Sequence, residues 1–326
     1  MVLIKNNNSW LKHTIFTVVI IGVVAFVLVG LRSSAFNNGA CSSDTYKGSD
    51  SVRVQNPVYQ VPIPKVLSFA DERVPLEYFD VRESLDRELQ VNSYWHSQTV
   101  LLLKRAHRFF PIIEPILKEY NIPNDFIYLA VAESALTQAV SPSKAVGFWQ
   151  ILEGTAKELD LEVNAEVDER YHIEKSTRAA CVFLQKSFNR YGSWTLAAAS
   201  YNFGRTGIVR QMDRQVSTNY YDMVLGEETG RYIFRILALK LIFANPEQYG
   251  FFLEPQEFYP PLEFFEVQVD TAVTDFANFA SEFNTNYKLL KLYNPWLREN
   301  YLTNKKNKRY SIKIPKPNFR ENAYEL

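Results

Sequence analysis

The chain has 326 residues, 47% of them hydrophobic and 22% charged, which excludes a disordered or collagen-like polymer and leaves room for one large domain or two. Lys plus Arg number 36 and Asp plus Glu number 36, so the formal charge is zero and nothing in the balance points to nucleic acid. Four His and two Cys are too few and too scattered for a Cys/His zinc site, and no metal is expected.

The first element runs from Ile15 to Leu31 without a charge, at the short end of the ~17–25 residues that span a bilayer. Lys5 and Lys12 precede it and Arg32 follows closely, which places the N-terminus in the cytoplasm and exports the rest. Residues 1–35 therefore read as a signal anchor, or as a signal peptide cut near Ser33-Ser34-Ala35. Cys41 follows Gly39-Ala40, but Asn38 stands where a lipobox needs an aliphatic residue. Residues 36–75 are rich in Ser, Asn, Pro and Asp and read as a linker. Cys181, in AACVFLQ, reads as a small buried hydrophobe, and a Cys41–Cys181 disulfide would tie a linker to a helix.

From residue 76 to about 255 apolar residues recur at three and four, as in LLLKRAHRFFPIIEPILKEY and TGRYIFRILALKLIF. This is a mainly α domain. Beyond it, FFEVQV alternates, TDFANFASEF and YKLLKLYNPWL look like short helices, and RYSIKIP alternates again. That β-α-α-β order makes residues 262–316 a separate small module.

No GxGxxG, Walker loop, GxSxG, HExxH or EF-hand loop occurs, and no cofactor is expected. What stands out is DFIYLAVAESAL. On a helix, Phe126, Leu129, Ala130 and Leu136 lie at −7, −4, −3 and +3 from Glu133 and set its carboxylate in an apolar stripe. Burial disfavours the charged form and raises the pKa, which suits a general acid near neutrality. Downstream come SPSKAVGFWQILEGTA, WTLAAASYNFG and GEETGRYIFRILALKLI. In GFWQ, Gly147 permits close approach, Trp149 offers a flat face for a sugar ring, and Gln150 can donate and accept toward an acetamido group. Phe148 and Trp149 read equally as core aromatics, and Tyr201 and Tyr232 as core tyrosines. Asn202 and Gly204 suit a helix end and turn.

In order and spacing, Glu133-Ser134, Gly147-x-x-Gln150, Tyr201-Asn202 and Glu228-x-x-x-Tyr232 resemble the four signature blocks of the lytic transglycosylases of goose-lysozyme-like fold, glycoside hydrolase family 23. The resemblance covers about residues 85–250. The loop between Glu133 and Ser141 is one residue shorter than in many members, which touches the role of Ser141 and not that of Glu133. The resemblance implies a lysozyme-like helical fold with Glu133 as the catalytic residue. It further implies substrate contacts from Ser141, Gly147, Trp149, Gln150, Tyr201, Asn202 and Tyr232. Its substrate would be peptidoglycan glycan strands. Glu133 would protonate the glycosidic oxygen of the MurNAc–GlcNAc bond, and the N-acetyl oxygen would stabilise the cation. Glu133 would then take the C6 hydroxyl proton as a 1,6-anhydro ring closes. A lysozyme-like hydrolase and a glycan-holding scaffold remain the alternatives. Residues 264–316 resemble a divergent LysM module, best matched at Asn294-Pro295-Trp296 and Ile312-Lys313-Ile314-Pro315. Val269-Asp270-Thr271 replaces its usual Gly-Asp-Thr opening, so glycan binding and simple bracing of the catalytic domain are both open. After Trp296 there are eight Lys or Arg and three Glu, a tail suited to an anionic surface or to solvent.

Overall fold

A computed structural model describes residues 59–324. The apolar run at 15–31 and Cys41 lie outside the described residues. Among those described, no helix is long and apolar enough to cross a membrane, and Cys181 is buried with a free thiol.

The expected linker does not reach residue 75. Val61, Leu67, Phe69 and Val74 are buried in the main core, because these scattered apolar side chains cover the helices behind them. Strands β1 (Ser68–Phe69) and β2 (Glu72–Arg73) pair across Ala70 and Asp71, both at positive φ, as a tight hairpin requires. Asp125 accepts the Ala70 N–H at 2.7 Å and pairs with Lys240 at 2.7 Å, which fastens the hairpin to two helices.

The helices follow as α1 (Phe79–Tyr94), α2 (His96–Glu119), α3 (Ile127–Ser134), α4 (Glu153–Glu158), α5 (Ile173–Tyr191), α6 (Trp194–Phe203), α7 (Arg205–Gln215) and α8 (Glu227–Ala244). Their ends obey local chemistry. Gly192, at φ +65, closes α5, and the Ser193 hydroxyl accepts the Leu196 N–H at the start of α6. The Glu72 carboxylate adds acceptors for the Ser193 hydroxyl and the Thr195 N–H, both at 2.9 Å. Glu227 and Glu228 occupy the first turn of α8, where the helix dipole favours anions. Helix α8 buries Tyr232, Ile233, Ile236, Leu237 and Leu239. It is the hub on which α1, α3 and α6 pack, while Arg231, Arg235 and Lys240 keep one side partly exposed, as an amphipathic period requires.

The C-terminal module is β3 (Phe264–Val269), α9 (Phe276–Glu282), α10 (Tyr287–Tyr293) and β4 (Tyr310–Pro315), followed by a short α11 (Phe319–Asn322). Strands β3 and β4 are antiparallel, with Phe264 opposite Pro315 and Val269 opposite Tyr310. The module has no core of its own apart from the helical domain. Phe276, Leu290, Trp296, Leu297, Ile312 and Ile314 cluster with Val146, Val167 and Tyr171 of the helical part. Backbone bonds cross the seam, from Asp168 N to Trp296 O at 2.9 Å and from Arg298 N to Glu166 O at 2.7 Å. Lys308 pairs with Glu162 at 2.5 Å, and Lys313 pairs with Glu174. Trp296 is buried and stacks on Tyr310 at 5.7 Å between ring centres.

Candidate active site

Glu133 sits in the last turn of α3. The helix stops one residue later because Ala135 and Leu136 both take left-handed backbone angles, at φ +55 and +54. Neither is a glycine, so this turn costs conformational energy that the surroundings must offset. They do so with named bonds. The Ser134 hydroxyl sits 2.8 Å from the Phe148 carbonyl and 3.2 Å from that of Ala130. Arg105 of α2 donates to the Ala135 carbonyl at 3.1 Å. Leu136, part of the expected apolar stripe, is buried although it lies beyond the helix.

The chain from 137 to 151 forms a small folded loop beside that turn. Its parts hold one another: Gly147 N donates to Ala139 O at 2.9 Å, and Val146 bridges both Val140 and Ile151. Gly147 has φ +79, and a Cβ there would lie 2.2 Å from the Arg170 carbonyl oxygen. Its glycine is needed for backbone contact rather than for approach of a sugar. Behind the loop, the Arg170 guanidinium is gripped by Asp168 at 2.7 Å and donates to the Lys144 and Ile151 carbonyls at 3.2 and 3.3 Å. Ser141 accepts the Ala145 N–H through its hydroxyl at 3.0 Å, a turn-forming contact.

Trp149 corrects the sequence expectation. It is fully buried, and its indole N–H donates to the Thr177 hydroxyl at 2.9 Å, so its ring is a core group and not a sugar platform. Only its backbone faces the site, where the Tyr201 hydroxyl donates to the Trp149 carbonyl at 2.7 Å. Gln150 gives both its amide protons to the Gly147 and Ala139 carbonyls, at 2.8 and 3.0 Å, and its side-chain carbonyl has no partner among the described residues. Gln150 and Tyr201 share a small hollow of about 70 Å³ with Leu152 and Phe183.

The Tyr232 hydroxyl, from α8, donates to Glu133 Oε1. Burial pushes the Glu133 carboxyl up to about 7, against the pull of the Tyr232 hydrogen bond. Glu228 adds to the rise, and Arg235, three residues on from Tyr232, opposes it. Burial likewise drives the Tyr201 and Tyr232 hydroxyls well up, with Glu133 adding to both, so they stay protonated donors. A carboxyl poised near neutrality can give a proton and take one back. Asn202 lies at the rim and braces α8: its amide donates to Glu228 at 3.3 Å and its carbonyl accepts the Thr229 hydroxyl at 2.8 Å.

The fold thus brings Glu133, Tyr201 and Tyr232 together and sets Gln150 in a hollow beside Tyr201, whereas Gly147, Trp149 and Ser141 are engaged in the loop and its packing and Asn202 bonds to the first turn of α8. Sequence reasoning missed Arg235 and the buried Glu88 of α1, which pairs with Arg231 at 2.7 Å and approaches Arg235 at 4.0 Å. The i, i+3 spacing of Tyr232 and Arg235 was the available signal.

Residues 110–224 match the family model of the transglycosylase SLT domain, and residues 265–318 match that of the soluble lytic transglycosylase C-terminal LysM-like domain. The chain therefore carries an SLT transglycosylase domain followed by a LysM-like module. Over 176 residues it is 31% identical to membrane-bound lytic murein transglycosylase D of Escherichia coli strain K12 and, equally, to that of Escherichia coli O6:H1. The matched stretch is 52% of this chain and 38% of each relative, so the chain spans well under half the length of the curated relatives it matches.

Proposed function

We propose that the chain is a peptidoglycan lytic transglycosylase that breaks the MurNAc–GlcNAc β-1,4 bond and leaves 1,6-anhydroMurNAc ends. The observation that carries this reading is one carboxyl, Glu133, set at the end of α3 beside buried apolar side chains and held by the Tyr232 hydroxyl, a setting in which burial raises its pKa. In the first step Glu133 gives its proton to the glycosidic oxygen as the C1–O bond breaks, with the substrate's N-acetyl oxygen closing on C1. In the second, carboxylate Glu133 takes the proton of the C6 hydroxyl while that oxygen displaces the acetamido oxygen at C1. Ordinary two-carboxylate glycosidases place their acids either about 5 Å or about 6.5–9.5 Å apart. Here the anion that most influences Glu133 is Glu228, an exposed residue engaged by Asn202. A single group serving in turn as acid and base fits that setting.

The Gln150 side-chain carbonyl is suited to accept a sugar N–H or hydroxyl. Tyr201 and Tyr232 hold the loop and the acid in place. The names of the relatives, murein transglycosylases bound to membrane, support a cell-envelope location, with residues 15–31 as the attachment and the folded part in the periplasm. The test is digestion of purified sacculi followed by mass spectrometry. Ends lighter by one water than hydrolysed ends are expected, and hydrolysed ends would identify a lysozyme-like hydrolase instead. Glu133→Gln should cost about 10²–10⁴-fold in rate or more while leaving glycan binding intact. A folded Gln variant releasing anhydro ends at near wild-type rate would remove Glu133 from the role.

A further inference from the structure

Between α2 and the C-terminal module lies a cavity of about 400 Å³, within the ~300–1,000 Å³ typical of small-molecule sites. It shares no lining residue with the hollow at Gln150 and Tyr201. Its wall is chiefly apolar, formed by Phe109, Ile112, Leu136 and Phe148 on one side and by Leu262 and Phe264 on the other.

Several basic side chains stand in that wall. Lys313 is neutralised by Glu174. Arg105, Arg108 and Lys291 have no carboxylate partner among the described residues. They donate instead to carbonyls: Arg105 to Ala135 at 3.1 Å, Arg108 to Pro260 at 2.9 Å, and Lys291 to Leu297 and, at 3.0 Å, to Glu299. A carbonyl orients a cation without cancelling its charge. Burial lowers Arg108, and burial together with nearby Arg298 lowers Lys291 to about 8 against the opposing pull of Glu299.

An inorganic anion would satisfy these cations and leave the apolar wall bare. A hydrocarbon would fill the wall and leave the cations unanswered. We propose that the cavity binds a small amphiphilic carboxylate, an acid head on an aliphatic chain, with the head among Arg105, Arg108 and Lys291 and the chain against Ile112, Phe148 and Leu262. Arg105 and Arg108 are three apart on α2 and present one face, while Lys291 reaches in from α10, so the occupant joins the two parts of the chain. It also touches Leu136, in the turn that ends the Glu133 helix, and Phe148, whose carbonyl accepts from Ser134.

The inference does not rest on the proposed activity, because binding is read without turnover. Decanoate is titrated calorimetrically into the full chain, with decanol and acetate as the arms that remove the charge and the hydrocarbon. Saturable binding of one decanoate per chain is expected, with both arms weaker by about 10-fold or more. Ile112→Trp, which fills the space, should abolish the binding. Arg108→Gln, which keeps a donor toward Pro260, should weaken it by about 10-fold or more. Each variant is first matched to the wild type by thermal melting, and if Arg108→Gln does not fold, Lys291→Gln takes its place. The proposal is overturned by the absence of saturable decanoate binding below about 1 mM, by decanol binding equally well, or by a folded Ile112→Trp that binds as the wild type does.

Discussion

Tyr232→Phe isolates the hydrogen bond on which the acid depends. The Tyr232 hydroxyl donates to Glu133 and stabilises its charged form, opposing the burial that pushes the carboxyl to about 7. Phenylalanine fills the same fully buried space and adds no polar atom, so the fold should survive with a loss of about 1 kcal/mol. A hydrogen bond to a charged group is worth about 1.5–3 kcal/mol, and one pKa unit is about 1.4 kcal/mol, so Glu133 should climb by about one to two units. Glu228 and Arg235 remain and pull in opposite directions, leaving the lost bond as the net change. The first chemical step needs protonated Glu133, so activity falls as pH rises through its pKa. The alkaline limb of kcat/KM on soluble glycan should therefore move upward by about one to two pH units in the variant. A limb that stays in place or moves downward, in a variant shown to be folded, would refute the link between Tyr232, Glu133 and protonation.

Glu133→Gln should be more stable than the wild type at pH 8, by about 1–3 kcal/mol. A carboxyl raised to about 7 from an ordinary 4.5 costs stability that is absent below pH 4.5 and complete above pH 7, so the gain should vanish on acidification; melts across this range decide. Gly147→Ala drives a Cβ to 2.2 Å from the Arg170 carbonyl oxygen at a left-handed φ, and should cost about 2–4 kcal/mol in chemical denaturation; an unchanged midpoint would contradict the close approach. Truncation after residue 261 bares Val146, Val167 and Tyr171 and strips the backbone partners of Glu166 and Asp168. The truncated protein should melt several degrees lower, at about 2–4 °C per kcal/mol, whereas an unchanged melt would make the module a passenger.

What could be read from the sequence is what depends on neighbours along the chain. The 3.6-residue period of TGRYIFRILALKLIF marks α8 because one helix face repeats every three or four residues, and the two alternating runs around two short helices give β3-α9-α10-β4 for the same local reason. Glu133 was legible because an acid in an apolar stripe is conspicuous within a single helix. Side-chain roles set by distant partners were not. Whether Trp149 shows its face to a sugar is decided by the Thr177 hydroxyl, 28 positions away, and Gly147 is fixed by a carbonyl on the far side of the loop. Val61, Leu67 and Phe69 looked like scattered apolar residues in a polar linker, and only their contact with helices later in the chain makes them core.

The C-terminal module shows the same rule acting on function. Its Asn-Pro-Trp was the strongest mark of a glycan-binding likeness, yet Trp296 lies against Tyr310 and beside His172 of the catalytic domain. Asn294 spends its amide on the Leu290 and Lys313 carbonyls, at 2.9 and 2.7 Å. Asn294 thus braces the module from within, whereas Trp296 lies at the seam, which reaches Arg170 through Asp168, whose N–H donates to the Trp296 carbonyl. Arg170 supports the loop that carries Gly147 and Gln150. The module therefore has a continuous hydrogen-bonded connection to the frame of the acid, and its removal should be felt in turnover even where the substrate is too small to touch the module at all.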